Sequence, residues 1–344
     1  MPAALAAGNL GNSGSIGGSG SGSIGIFDSG VGGLSVLRHV RAALPAEILV
    51  YCADAAFAPY GDRPESLIVE RALAIAAYLV GDGAKALVVA CNTATAAAIA
   101  AIRDAHPQLV VVGVEPGLKP AAALSASRVV GVLATTGTLA SSRFAALQLQ
   151  IEAATGVRFI LQACPGLADQ VEKGELQSAA TRQLIDRLVQ PLLAQGADTL
   201  VLGCTHYPFV APLIAAACAN GSVDGASGAS GARSAGTAGD AAGSARTSFF
   251  AAIDRATSDV RIIDTGEAVA RRLVERLRER GLLRRDDAGT LPDAAGNQQQ
   301  SAPPGALAAV STGSTRKLAV AFRRLLGIDV AVAAIAVERM STQP

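Results

Sequence analysis

The chain has 344 residues, half of them hydrophobic and 17% charged, with 3% aromatic residues, no Trp and a formal net charge of +1. That length suits two medium domains with a sizeable core. The near-neutral balance, without a long basic block, argues against a nucleic-acid partner, and the shortage of aromatics argues against a base-stacking platform.

The chain opens on "MPAALAAGNLGNSGSIGGSGSGS". It lacks the basic start and apolar centre of a signal peptide, so residues 1–22 are expected to form a disordered Gly/Ser-rich tail. No uncharged apolar run reaches the roughly 18 residues that a bilayer span needs. The five cysteines are Cys52, Cys91, Cys164, Cys204 and Cys218. An odd count without a CxxC spacing reads as reduced thiols in the cytoplasm rather than a disulfide framework.

Seven apolar runs follow: "SIGIFD" (23–28), "EILVYCAD" (47–54), "ALVVAC" (86–91), "LVVVGV" (109–114), "VVGVLAT" (129–135), "VRFILQAC" (157–164) and "TLVLGC" (199–204). They are continuously apolar rather than alternating, as strands of a parallel sheet covered on both faces must be. Helical segments, among them 65–81, 94–104 and 180–195, lie between them, which predicts an α/β fold with mostly parallel sheets. Two low-complexity stretches, about 220–248 and 286–306, read as surface insertions.

Ligands in such folds bind beyond the carboxyl ends of the strands. Two strands end there in a cysteine, "VVACNTA" and "LVLGCTHYP". "IGIFDSG…VVACNTA" is echoed by "VGVLATTGT…LVLGCTHYP", a loose two-fold pattern that predicts two related halves with facing mouths. A helix N-terminus after Cys91 or Cys204 would favour a thiolate and bind carboxylates; the bland alternative is a buried structural thiol. His206, two residues beyond Cys204, could balance an imidazolium against a thiolate, or merely cap a helix. Asp28 would not favour a thiolate at Cys91, since like charges repel, but could accept its proton during reaction; it could equally serve as an N-cap. The "DSGVGG" loop fits neither common nucleotide-binding pattern. Neither a zinc site nor a Schiff-base lysine is suggested by the spacing, so no cofactor is expected.

The segments "GIFDSGVGGLSVL", "APYGDR", "VVACNTATA", "GVEPGLKPA", "GVLATTGTLAS" and "LVLGCTHYPFV" together resemble glutamate racemase, of the cofactor-independent aspartate/glutamate racemase superfamily. The likeness runs along about residues 23–215 and resumes weakly at "IIDTGEAVARRL" and "GSTRKLAVAFRRLLG". It implies two facing doubly wound α/β domains with pseudo-two-fold symmetry and the active site in the cleft between them. The first would comprise 23–118 plus 213–344, the second 119–212. It also implies a reason for two thiols: bases on opposite faces of a planar carbanion need not move during racemisation. By the resemblance, Cys91 takes the Cα proton from D-glutamate and Cys204 from L-glutamate. Asp28 assists Cys91, His206 assists Cys204, and Glu172 is the auxiliary acid. Ser29, Tyr60, Gly61, Asn92, Thr93, Thr135, Thr138 and Thr205, with Asp28 and His206, hold the substrate's ammonium and carboxylates. The implied role is D-glutamate supply for peptidoglycan; the oligomeric state stays open, a homodimer being one option. An aspartate-specific racemase, a Cys–His–Asp amidohydrolase using Cys204, and a phosphate-binding module built on "DSGVGG" are the rival readings.

Overall fold

The computed structural model describes residues 22–221, 260–284 and 305–337. The expected tail and both low-complexity stretches fall, but for their edges, outside the described residues. Among the described residues no helix is long and apolar enough to cross a membrane.

The chain alternates strand and helix from the start. It runs β1 (Ser23–Asp28), α1 (Leu34–Ala43), β2 (Leu49–Ala53), α2 (Glu65–Gly81), β3 (Ala84–Val89), α3 (Asn92–Ala105) and β4 (Val110–Gly113). It then repeats the plan with α4 (Leu118–Leu124), β5 (Val129–Ala134), α5 (Thr136–Ala140), α6 (Ser142–Thr155), β6 (Arg158–Ala163), α7 (Leu167–Lys173), α8 (Ala179–Ala194) and β7 (Thr199–Gly203). After α9 (Ala211–Gly221) come β8 (Arg261–Ile263), α10 (Gly266–Glu279), β9 (Leu307–Ser311), α11 (Thr315–Ala321) and β10 (Val332–Ala334). All seven apolar runs are strands. Helix α3 starts at Asn92, two residues earlier than expected, because the Cys91 sulfur itself caps it by accepting the Ala94 N–H at 3.5 Å.

Two sheets result, every strand pair parallel. Their orders are β10-β9-β2-β1-β3-β4 and β6-β5-β7-β8. The inner run β2-β1-β3-β4 of the first is the same topology as β6-β5-β7-β8. The likeness extends to side chains. Gly25 on β1 pairs with Leu87 on β3, and an added Cβ would lie 2.8 Å from Leu87 Cδ2 and 3.1 Å from Leu79 Cδ1 on α2. Gly131 on β5 pairs with Leu200 on β7, and its Cβ would lie 2.6 Å from Leu200 Cδ2 and 2.8 Å from Leu192 Cδ1 on α8. In each half a central-strand glycine gives up its side chain so that two leucines can close over the backbone.

The three short strands β8, β9 and β10 were not anticipated. They are runs of three to five residues without a strong apolar signal. Strand β8 pairs with β7, so the returning chain adds an edge to the second sheet before α10 packs on α1 and β9 joins β2. The expected division at 212/213 therefore does not follow sheet membership at Arg261–Ile263.

One apolar cluster runs from Ile26, Leu34 and Tyr51 of the first half through Tyr207 and Phe209 to Leu200 and Leu202 of the second. Each fully buried side chain of this size contributes roughly 1.5–3 kcal/mol, so the core itself joins the halves. Separate clusters cover the outer faces: Leu87, Val89, Ile75 and Ile99 in the first sheet, Val130, Val132, Phe144 and Phe159 in the second. A polar clamp fixes the segment ends near 284 and 305. Arg41 Nη1 donates to the carbonyls of Pro45, Glu47 and Gly305, and Glu47 Oε1 accepts the Arg284 N–H at 2.7 Å.

Candidate active site

The carboxyl ends of β1 and β3 are neighbours in the first sheet, and those of β5 and β7 in the second. That register sets Asp28 beside Cys91, and Thr135 beside Cys204. The two edges then close on each other through polar contacts. Thr205 Oγ1 donates to Asp28 Oδ1 at 3.3 Å, and the Ser35 hydroxyl lies 2.9 Å from the Thr205 carbonyl. The Val31 N–H donates to Glu172 Oε1 at 2.8 Å, and Thr93 Oγ1 lies 3.0 Å from Thr135 Oγ1. The glycine loop permits this approach: a Cβ at Gly32 would sit 2.5 Å from His206 Nδ1 and 2.7 Å from Thr205 Oγ1. "DSGVGG" thus serves the contact between halves, with helix packing second.

Cys91 and Cys204 are 5% and 6% exposed. The Cys91 sulfur stands at the N-terminus of α3, 4.0 Å from Ser29 Oγ. Burial, and next the Asp28 carboxylate, push its thiol well up; the Ala94 N–H and Ser29 hydroxyl pull the other way, and the Cys204 sulfur is close enough to add to the rise. Cys91 is therefore a neutral thiol at rest. Asp28 is fully buried and its own pKa is raised, chiefly by burial, with His206 and the N–H groups of Gly30 and Gly33 opposing. Its side chain does not cap α1, which starts at Leu34 without a side-chain cap; Oδ2 instead accepts the Gly30 N–H at 2.8 Å, closing a tight Asx turn.

The other side is built differently. Cys204 Sγ lies 3.5 Å from His206 Nδ1, and His206 Nε2 lies 2.7 Å from Glu172 Oε1. The His206 ring makes no cap bond to the turn Tyr207–Val210. Burial works against its charged form, but the Cys204 sulfur and Glu172 outweigh it and hold the pKa well above the usual imidazole value. Burial likewise works to raise Glu172, yet the His206 ring, the Val31 N–H and Lys317 hold it below the ordinary carboxylate range. The arrangement runs from a sulfur through an imidazole, whose charged form is favoured, to a carboxylate.

The remaining expected positions surround this pair. Thr135 Oγ1, Thr138 Oγ1 and Thr93 Oγ1 form a hydroxyl triangle with edges of 2.9, 3.0 and 3.4 Å. Asn92 is 4% exposed, and neither its amide oxygen nor its nitrogen has a partner in the protein. Burying such groups unpaired costs about 1–3 kcal/mol each, which a polar ligand offsets. Asn92 and Thr138 line a cavity of about 260 Å³ between α3 and α6. Gly61 backs onto the Thr135 side chain, where a Cβ would come within 3.1 Å of the Thr135 methyl carbon. Tyr60 has its hydroxyl committed elsewhere: it donates to Asp54 Oδ2 at 2.6 Å. What Tyr60 and Gly61 can offer a ligand is backbone.

Sequence reasoning missed the supports. Asp54, 0% exposed, is gripped by Arg71 at 2.9 and 3.0 Å and by the Thr312 hydroxyl at 2.7 Å, and Arg71 Nη1 reaches the Val337 carbonyl. Asp54 ends the "LVYCAD" run, so the strand-end rule that picked Asp28 would have found it. Tyr51, whose hydroxyl donates to the Gly30 carbonyl at 2.8 Å, gave no such signal inside an apolar run. Among the described residues no group of three His, Cys, Asp or Glu side chains is placed to hold a metal ion.

Comparison with known proteins identifies the family. A family model described as Asp/Glu/Hydantoin racemase matches residues 24–229. Glutamate racemase of Stutzerimonas stutzeri is 49% identical over 265 residues, 77% of this chain and 85% of the relative. The crystal structure of glutamate racemase isoform RacE1 from Bacillus anthracis superposes with a TM-score of 0.69 at 27% identity, covering 92% of this chain and 98% of that one. Escherichia coli glutamate racemase, solved in complex with L-glutamate and the activator UDP-MurNAc-ala, gives a TM-score of 0.66 at 26% identity, covering 92% and 100%. The chain belongs to the Asp/Glu racemase family and, within it, to the glutamate racemases.

Proposed function

We propose that this enzyme interconverts L- and D-glutamate by a two-base transfer at Cα, with Cys91 and Cys204 on opposite faces of the carbanion. The observation that carries the reading is the placement of two buried thiols at equivalent strand ends of two like-ordered sheets that face each other. Cys204 removes the proton from L-glutamate, and His206, steadied by Glu172, offsets the thiolate charge. Cys91 removes it from D-glutamate, and Asp28 takes the thiol proton. An unperturbed thiol, with a pKa of about 8.5, is only a few per cent ionised at neutral pH, so both need such help. Ser29, Asn92, Thr93, Thr135, Thr138, Thr205 and the backbone of Tyr60 and Gly61 hold the ammonium and the two carboxylates. Fixed neutral donors in a dry site stabilise the developing charge without reorganising.

We take the sheets as two domains that part to admit substrate: β1–β4 with α10, β9 and β10 form one, β5–β8 the other. The reaction belongs in the cytoplasm, where thiols stay reduced, and D-glutamate goes to peptidoglycan. Cys91→Ser and Cys204→Ser test the scheme: each is expected to abolish racemisation in a folded, reduced sample, measured by polarimetric progress curves from either enantiomer. Turnover retained in either variant refutes the two-base reading.

A further inference from the structure

The reactive groups are sealed: Asp28, Cys91, Cys204 and His206 are all 6% exposed or less. Substrate must reach them through a wall that can give way. Two cavities border them. The one between α3 and α6 is crossed by the Arg143–Glu115 ion pair, 2.7 Å long, so its charges cancel. The other, of about 740 Å³, lies between α7 and α11, and its inner wall is made of Gly30, Val31 and Glu172. Behind that thin wall stand the Asp28 turn and the His206 ring.

The charge of this second cavity is unbalanced. Lys173, Arg316, Lys317 and Arg324 line it against Asp169 and Glu172, and Glu172 already faces His206. All four cations are exposed, and none makes an ion pair within 4.0 Å among the described residues. They also come from both halves: Lys173 ends α7, and the others sit on α11 and the turn after it. Arg324 Nη1 touches the Lys173 carbonyl at 3.5 Å, the bond that spans the opening. Lys317 is close enough to lower the Glu172 pKa. Glutamate at neutral pH carries two carboxylates and one ammonium, a net negative charge. Unpaired cations around a concave mouth concentrate such an anion and speed its arrival.

We propose that the cavity between α7 and α11 is the mouth through which the dicarboxylate reaches the thiols, and that Arg316, Lys317, Arg324 and Lys173 draw it in by charge. The inference rests on glutamate as substrate, and it adds a route and a set of affinity-determining residues that never touch the reacting atoms. These side chains act at range, so their effect is screened: the Debye length falls from about 30 Å at 0.01 M salt to about 10 Å at 0.1 M.

The experiment compares Arg316→Gln/Arg324→Gln with Arg182→Gln/Arg187→Gln, a pair on α8 outside the cavity lining, and with the parent enzyme. Racemisation of both enantiomers is followed at low and high ionic strength. The mouth variant is expected to show a several-fold higher KM at low salt, a kcat within about twofold of the parent, and a difference that shrinks as salt rises. The α8 variant is expected to match the parent. A mouth variant with parental KM at low salt overturns the proposal. So does an equal shift in the α8 variant, which would trace the effect to net charge, or a kcat loss that salt leaves unchanged. Failure of the parent itself to racemise glutamate would instead sink the functional reading.

Discussion

Replacing Glu172 with Gln isolates the charge on the Cys204 side from its shape. Glu172 Oε1 accepts from His206 Nε2 at 2.7 Å and from the Val31 N–H at 2.8 Å, and a Gln oxygen can accept both. A hydrogen bond to a charged group contributes about 1.5–3 kcal/mol against about 0.5–1.5 for a neutral one, so the substitution forfeits about 1–1.5 kcal/mol of support for the imidazolium. That is about tenfold in rate if the imidazolium is needed in the transition state. The two enantiomers have equal free energy in water, so kcat/KM must fall by the same factor in both directions, even though Glu172 serves one cysteine. The asymmetry belongs to kcat and KM taken separately, and to the primary deuterium isotope effect on each enantiomer. The pH dependence has a definite sign. Glu172 helps to raise the His206 pKa, so in the variant the imidazolium is lost at lower pH and the matching limb of the rate profile moves acidward. For stability, the raised His206 contribution is full below about pH 6.5 and is lost as pH rises through its folded value; the lowered Glu172 contribution is present above about pH 4.3 and is lost as pH falls through its folded value. The stability gap between parent and variant should therefore be widest between these limits and narrow on either side. Rates by circular dichroism from both enantiomers and urea melts across pH check this. An unchanged kcat/KM with an unshifted profile, or a loss as complete as that of Cys204→Ser, would refute the reasoning.

Two further substitutions probe what holds the site in place. Gly25→Ala and Gly131→Ala push a methyl against equivalent leucine pairs, at 2.8 and 2.6 Å from the nearest carbon. Each should cost about 1–3 kcal/mol in urea unfolding, by similar amounts in the two halves; no loss at either would mean that the leucines have room to spare. Arg71→Leu leaves the Asp54 carboxylate buried without its cation and should cost about 3–5 kcal/mol, while Arg71→Leu/Asp54→Asn should recover most of that. A double variant as unstable as the single one would show that the lost charge pairing is not the cause.

The parallel α/β architecture was legible because its signal is local. A strand covered on both faces needs a run of Val, Leu, Ile and Ala, and all seven such runs are strands, although β6, at the edge of its sheet, leaves Arg158 and Leu161 exposed. The internal echo was legible too, since like-ordered sheets end in like segments. The strands after Ile214 were not: "RII", "LAAVS" and "VAA" are short, and their neighbours in the sheet, not their residues, make them strands. Glu172, Tyr60, Gly61 and Thr138 came only with the family resemblance, whereas Asp28, Cys91, Cys204 and His206 could be read from strand ends. Where each side chain is spent could not. The resemblance puts Tyr60 among the residues that hold substrate, but its hydroxyl is bonded to Asp54, six residues earlier. Asp28 and His206 looked like caps as readily as helpers, and only the distances to Gly30, Cys204 and Glu172 separate those readings.

The two halves place their sulfurs by one plan and equip them by two. At the end of β3 the cysteine sits on a helix N-terminus beside a buried carboxylate. At the end of β7 a three-residue step brings an imidazole against the sulfur before the next helix begins. Identical helpers would fail on electrostatic grounds. Two carboxylates would raise both thiols, and two imidazoliums would ionise both sulfurs, so that neither could return a proton. On the two-base reading, a carboxylate beside one thiol and an imidazole beside the other keep the two sides electrostatically distinct, as proton transfer from one face to the other requires. The bonds Thr205–Asp28 and Val31–Glu172 tie Asp28 and Glu172 to the opposite half, so on the proposed reading the fit between the halves and the position of each helper depend on the same contacts. In the proposed two-domain motion, parting the halves would break both bonds together, which favours the closed, dry site as the place for carbanion chemistry.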